Sequence, residues 1–227
     1  FIENKLKVFG PKKLAAQLES SKDFAKSFME RHKIPTAKYK TFTNIKDAHK
    51  YINEEGAPIV IKADGLAAGK GVVVAMTVQE ALVAADSMLE DNLFGDAGAR
   101  IVIEEFLTGE EVSFIVICDG NSILPLASSQ DYKRLLDLDL GPNTGGMGAY
   151  SPAPIVTQEL HKKIMDEVIK PTTEGMKKDG VEFTGFLYAG LMIDNDNNIK
   201  TLEFNCRMGD PETQPILFRL KSDLFEI

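Results

Sequence analysis

The sequence predicts an α+β fold of two lobes with mainly antiparallel sheets, and three patterns carry that expectation. Residues 59–74 set a glycine-rich, lysine-bearing loop between two β-branched runs, so the segment reads as strand, loop, strand. Two more pairs of strand-like runs are each joined by residues that accept tight turns, Asp119-Gly120-Asn121 and Asn195-Asp196-Asn197-Asn198. Around them stand amphipathic helical patterns with recognisable starts. With 227 residues, 44% apolar and 26% charged, the chain is long enough for one large domain or two small ones with real cores.

Taken in order, Ser20-x-x-Asp23 resembles a capping box, and Phe24 and Phe28 share a helical face. A helix is expected over Ser21 to His32, with Lys22 projecting at its start. Asn44 to Asn53 predicts a second helix, turning Ile45, Ala48 and Ile52 inward and stopping at Glu55-Gly56-Ala57-Pro58. The two strands flanking the glycine loop follow. Thr77-x-x-Glu80 then opens a helix through Ala81, Leu82, Ala85 and Met88 to Leu89, and Ile101 to Glu105 reads as a returning strand.

Beyond Gly109 the strands lengthen. Val112 to Cys118 and Ile123 to Ala127 form one expected hairpin, Leu187 to Asp194 and Ile199 to Phe204 another. Between them Gly141 to Pro154 reads as a shaped loop, and Thr157 to Lys178 as a helix through Leu160, Ile164 and Val168 with a break near Pro171. The expected division places residues 1–40 and 109–227 in a larger lobe and 41–108 in a small lid lobe. No internal repeat is present.

Charge and cysteine content narrow the function classes. Against 26 Lys and Arg stand 34 Asp and Glu, a formal net charge of -8, which argues against nucleic acid as a partner. Any bound anion must be met by a local positive cluster. Cys118 and Cys206 lie outside any C-x-x-C pattern, and neither a signal peptide nor a long apolar span is seen. A reducing compartment, the cytoplasm, and no membrane partner are expected. The sequence starts at Phe1 and stops at Ile227 inside an apolar run, so it is read as a segment of a longer polypeptide.

The glycine loop is a cover for phosphates rather than a Walker cradle. Gly65 and Gly69 are three residues apart, Gly71 follows Lys70 where Ser or Thr would be needed, and Val72 to Val74 continue as a strand. Lys22, Lys62 and Lys70 are the candidate cations. On the strand Thr201 to Asn205, alternation turns Leu202 and Phe204 to the core and Glu203 and Asn205 outward together. Two oxygen donors so spaced suit a hard cation such as Mg²⁺, and Arg207 adds a fork for phosphate or carboxylate.

Glu104 to Glu111 ends a strand and enters a new lobe, where an adenine could lie against Phe106 and Leu107. Ser129 to Arg134 and Gly141 to Tyr150 mix charge, amide, hydroxyl and glycine, a composition that lets backbone approach a ligand. Taken singly, these motifs also fit surface lysines, a solvated edge strand, an acidic hinge and a structural turn. The nucleophile elbow G-x-S-x-G and zinc pairs are absent, and His32, His49 and His161 fall in helical segments expected to be exposed. Metal-assisted phosphoryl transfer needs neither and fits best.

Together, Lys22, the Lys62-to-Gly71 loop, the Glu104-to-Glu111 hinge and Glu203-Phe204-Asn205 resemble the ATP-grasp superfamily. Within it, Phe9-Gly10-Pro11, Ile61 through Val72, Gly141 through Pro152 and Glu203 through Gln214 resemble the phosphoribosylamine-glycine ligase (glycinamide ribonucleotide synthetase) family over nearly the whole chain. The resemblance implies an ATP-grasp fold whose two α+β lobes clasp ATP. It also implies a carbon-nitrogen ligase of de novo purine biosynthesis that joins glycine to 5-phosphoribosylamine through glycyl phosphate. The products are glycinamide ribonucleotide, ADP and phosphate, and the cofactors ATP with Mg²⁺ or Mn²⁺.

By resemblance, ATP meets Lys22, Lys62, Gly65, Gly69, Lys70, Gly71, Glu104, Glu105, Phe106, Leu107 and Glu111, with Glu104, Phe106 and Leu107 at the adenine and Glu111 at the ribose. Glu203 and Asn205 hold the metal. Asp131, Lys133, Asn143, Thr144, Gly145, Gly146 and Arg207 line the glycine and phosphoribosylamine side, and Lys62, Arg207 and Asp131 carry the catalysis. The chain departs from the family pattern at Ser20, Tyr132, Leu136, Leu138 and Met208, and reads Ala189-Gly190 where ATP-grasp enzymes often add an acidic metal ligand. The family's N-terminal and C-terminal domains are not evident. The alternative is therefore an isolated ATP-binding module that packs against those domains and is not competent without them.

Overall fold

A computed structural model describes residues 1, 3–65, 71–90, 99–137 and 140–227, without the side chains of Pro142 and Asn143. Gly69, Lys70, Leu138 and the Asn143 side chain, all singled out above, lie outside what is described. In chain order the elements are α1 (Gln17–Ser20), α2 (Lys22–Arg31), β1 (Tyr39–Phe42), α3 (Ile45–Glu55), β2 (Ile59–Ala63), β3 (Val72–Ala75), α4 (Val78–Leu89) and β4 (Ile101–Glu105). There follow β5 (Glu110–Asp119), β6 (Ile123–Pro125), β7 (Gln130–Asp131), β8 (Arg134–Leu136), β9 (Leu140–Asn143) and β10 (Ala149–Tyr150). The chain continues through α5 (Gln158–Ile164), a π-helical turn (Met165–Ile169), α6 (Lys170–Lys178), β11 (Thr184–Ile193), β12 (Ile199–Asn205) and α7 (Thr213–Phe218).

Two four-stranded antiparallel sheets organise these elements. The smaller has the order β1-β4-β2-β3, and its core joins Ile59, Ile61, Ile101 and Ile103 to Ala48 and Ile52 of α3 and Ala81, Ala85 and Met88 of α4. The larger has the order β12-β11-β5-β6. One of its faces packs on α2, α5, the π turn and α6 through Phe28, Phe114, Ile164, Val168 and Phe204. Between the sheets runs Gly109, whose φ of +146° and 2.1 Å separation of a would-be Cβ from the Ile193 carbonyl oxygen admit no side chain.

Local chemistry sets the helix starts. Thr77 and Glu80 make the expected capping box on α4, and Asn44 caps α3 by accepting from the Lys46 amide at 2.9 Å. On α2 the cap is Ser21, not Ser20. Its Oγ accepts from the Phe24 amide at 3.1 Å, while the Asp23 amide donates to Asp64 Oδ1 of the small lobe at 2.7 Å.

Two other expectations are corrected. Helix continues past Pro171, because the wider π turn at Met165–Ile169 comes just before the residue that lacks an N–H and takes up the misfit. The 141–154 loop is held by two short ladders, β8 with β9 and β7 with β10; its Gly, Pro and Asn content masks pairing supplied from residues 130–136. Strand β1 starts at Tyr39 and pairs with β4, so the small sheet takes in residues on both sides of position 41. No helix among the described residues is long and apolar enough to cross a membrane.

Candidate functional site

A cavity of about 380 Å³ opens where the smaller sheet, α2 and the edge strand β12 meet. Its lining brings together Lys22, Lys62, Gly65, Gly71, Glu104, Glu203, Asn205 and Arg207 of the expected residues, and adds Glu19, Lys26 and Leu202. The two strands expected on either side of the glycine loop are β2 and β3, which pair antiparallel with Lys62 opposite Val72.

Each cation here is held by design of the chain. Lys22 sits in the first turn of α2; its amide donates to the Asp64 carbonyl at 3.1 Å and its Nζ to the Gly65 carbonyl at 3.1 Å. Burial pulls the Lys22 ammonium below the usual lysine value, only partly offset by Glu203, Asp64 and Glu104. Asp64 in turn accepts from Ser21 Oγ and the Asp23 amide, and pairs with Arg100 at 2.7 Å. One carboxylate just after β2 thus fastens the start of α2.

Lys62 ends on the smaller sheet with its Nζ 3.0 Å from Glu104 Oε1 and 3.4 Å from the Leu202 carbonyl oxygen. The second contact exists because the β11–β12 register passes from Leu191 opposite Thr201 to Gly190 opposite Glu203, leaving Leu202 as an extra, bulged residue. The bulge also corrects the expected alternation: Leu202 is half-buried at the cavity rather than in the core, while Phe204 is a core residue. Glu203 and Asn205 share a face as expected, with Asn205 Nδ2 donating to Glu203 Oε1 at 3.4 Å, but only Glu203 is exposed; Asn205 is buried. Arg207 donates to Asn205 Oδ1 at 3.2 Å and pairs with Glu19 at 3.1 Å.

Glu104 is placed differently from an adenine acceptor. It is almost wholly buried, with Lys26 2.8 Å from Oε2 and Lys62 on Oε1. Burial would raise its carboxyl, but the two ammonium groups hold it below the usual range. Glu105 points elsewhere, accepting from the Lys38 amide at 3.0 Å and pairing with Lys200. Phe106 and Leu107 are half-buried in the hinge and do not line the cavity.

A second group forms beside the first. Lys133 pairs with Glu111 and lies 3.9 Å from Asp131, while Thr144 Oγ1 donates to the Lys133 carbonyl at 2.9 Å. Burial works against the Lys133 ammonium, yet the charges of Glu111 and Asp131, with a smaller pull from Glu203, raise it above the usual lysine range. Burial pushes the Asp131 carboxyl up. Gly146 takes a φ of +129° with Pro211 against its missing Cβ, and Gly145 has open space beside it.

Sequence reasoning missed Lys26, Glu19 and the buried Glu212, whose Oε1 accepts from Ser113 at 2.8 Å and Tyr188 at 3.0 Å. A signal for Lys26 did exist: it stands four residues after Lys22, one helical turn along the same side of α2. The histidines were expected to be exposed and are half-buried. His32 meets Asp179 at 3.1 Å, His49 meets Asp86 at 2.8 Å, and His161 packs edge-on against Phe114 at 5.1 Å.

Residues 20–213 match the family model described as phosphoribosylglycinamide synthetase, ATP-grasp (A) domain. Among curated proteins, phosphoribosylamine--glycine ligase of Ralstonia nicotianae is 70% identical over 98% of this chain and 53% of its own length. The Escherichia coli protein of that name is 64% identical over 98% of this chain and 52% of its own. The chain thus spans about half the length of the curated relatives it matches. Of solved structures, phosphoribosylamine--glycine ligase from Thermotoga maritima superposes with a TM-score of 0.84 at 39% identity, covering 93% of this chain and 53% of that one. A Campylobacter jejuni biotin carboxylase complex with β-γ-ATP shares the fold, with a TM-score of 0.78 at 19% identity over 99% of this chain and 48% of that one.

Proposed function

From the premise that the chain belongs to the phosphoribosylglycinamide synthetase ATP-grasp (A) domain family, we propose that its cavity binds Mg-ATP for joining glycine to 5-phosphoribosylamine. The observation that carries this reading is the seat of Lys62. Its ammonium leaves the lid sheet and reaches the Leu202 carbonyl, one residue before Glu203, so a cation and a pair of oxygen donors face one another across one opening.

The chemistry asks for that arrangement. A carboxylate is a poor electrophile, and transfer of the γ-phosphoryl group to glycine would give glycyl phosphate, with phosphate as the group that leaves when the amine attacks. Lys22 and Lys62 would offset phosphate charge, and Arg207, tethered by Glu19, would hold the transferring group or the glycine carboxylate. Glu111, Lys133, Thr144 and the glycines 145 and 146 would shape the acceptor side. Asp131 on β7, its carboxyl raised by burial, would take a proton from the attacking amine.

The donor set also fits a divalent metal shared with phosphate. Glu203 and Asn205 offer two hard oxygens once the Asn205 amide turns its oxygen away from Arg207. Among the described residues no group of three or more His, Cys, Asp or Glu could hold an ion alone, so phosphate and water would complete the shell. Such an ion would neutralise charge on the transferring phosphoryl group.

The test is ADP release by the full-length protein in the presence of Mg-ATP, glycine and phosphoribosylamine. Equal release with another amino acid would remove the substrate assignment. The share of each relative that this chain covers favours a second reading, in which the 227 residues form the nucleotide-binding part and need the remainder to turn over. Mg-ATP binding by the segment without ADP release, restored in the full-length protein, is its signature.

A further inference from the structure

Lys26 is a lysine with almost no access to water, 2% exposed, in the wall of the cavity. Ammonium groups are rarely buried so far unless they are paired. Here Nζ donates to Thr36 Oγ1 at 2.7 Å, lies 2.8 Å from Glu104 Oε2, and has the centre of the Tyr39 ring 5.9 Å away. Thr36 passes the connection to the Thr201 carbonyl at 2.7 Å, on the strand that carries Glu203. Burial brings the Lys26 ammonium down to about 8 against the pull of Glu104.

Lys26 is thus committed to partners within the protein, while its partner carboxylate has a second claimant. Glu104 Oε1 faces Lys62, the cation at the mouth of the ledge. A carboxylate in low dielectric next to an incoming triphosphate would repel it and hold Lys62 to itself. Two ammonium groups on one carboxylate leave one positive charge over.

We infer that Lys26 is a positioning residue: it takes up the charge of Glu104 on one oxygen so that Lys62, on the other, can turn its ammonium to phosphate. This rests on the nucleotide reading of the cavity. The positive charge that meets the ligand is Lys62's, and Lys26 supplies it from behind.

The experiment measures Mg-ATP affinity by calorimetry, with thermal unfolding alongside, for the full-length protein and its Lys26→Met, Lys26→Arg and Lys26→Met/Glu104→Gln variants. Lys26→Met is expected to weaken binding about tenfold or more, as expected when one member of a buried charge group is removed. Lys26→Arg keeps affinity within about threefold, and the double variant recovers most of the loss because no stray carboxylate remains. Wild-type affinity in Lys26→Met, or a double variant as weak as the single, overturns the inference. Should Lys26→Met not fold, the double variant decides alone: binding within about tenfold of wild type supports the charge relay, and weaker binding overturns it. A wild-type protein that binds no Mg-ATP sinks the nucleotide reading itself, and this inference with it.

Discussion

At the scale of single residues, the site is a matter of where charge can be left unpaired. Glu203 is exposed on β12 and makes one weak contact to Asn205 at 3.4 Å, so it contributes little to the fold. Glu203→Gln is predicted to lower Mg-dependent ADP release by about two orders of magnitude or more. The melting temperature should stay within about one degree, because surface changes away from a network fall within about 0.5 kcal/mol. Kinetics and calorimetry on one preparation check both halves. The Glu203 and Asn205 pair was legible because strand alternation is a local rule. Lys26 and Glu212 were not, because in sequence a lysine or glutamate reads as surface, and only the packing of α2 on β4, or of Glu212 under Ser113 and Tyr188, makes them interior.

Among elements, the joints are more demanding than the strands and helices they connect. Gly109 passes between the two sheets with its Cα against the Ile193 carbonyl, and a methyl group would lie 2.1 Å from that oxygen. Gly109→Ala is predicted to destabilise by more than about 1 kcal/mol, because positive φ and a backbone clash add. Chemical denaturation that shows no change would contradict the joint. The Thr77 cap should be milder: Thr77→Ala is expected to cost about 1 kcal/mol through the lost bond to the Glu80 amide.

Caps of this kind were readable, since Thr77 and Glu80 announce themselves three residues apart. The α2 cap was misplaced by one residue because Asp23 is satisfied by Asp64, a partner 41 positions away. The β7–β10 and β8–β9 ladders went unread because their strands, from Gln130–Asp131 to Leu140–Asn143, are too short to show an alternation.

For the whole molecule, the division into two antiparallel sheets with separate cores was legible from hairpin turns and helical periodicity, and the cavity follows from closing them against each other. Charge adds a collective property. Arg31 and His32 hold Asp179 below its usual 3.8, backbone amides of Ser122 and Asn121 do so for Asp119, and Lys62 and Lys26 overcome burial to keep Glu104 below 4.5. For such groups the unfolded chain binds more protons than the folded one as pH falls through these values, so their stabilisation is present above pH 4.5 and lost below it. Melting temperatures are therefore predicted to be level from about pH 7 to 5 and to fall from pH 4.5 downward. A protein equally stable at pH 3 and pH 6 would refute the charge assignments.

The extra residue at Leu202 separates what the sheet needs from what the cavity uses. On either side of it the ladder is in phase, Leu191 with Thr201 and Gly190 with Glu203, so deleting that one residue would leave every remaining pair matched and both faces of the strand intact. A chain shortened in this way is expected to fold and yet to lose the carbonyl on which Lys62 leans, which makes position 202 a residue that the cavity needs more than the architecture does.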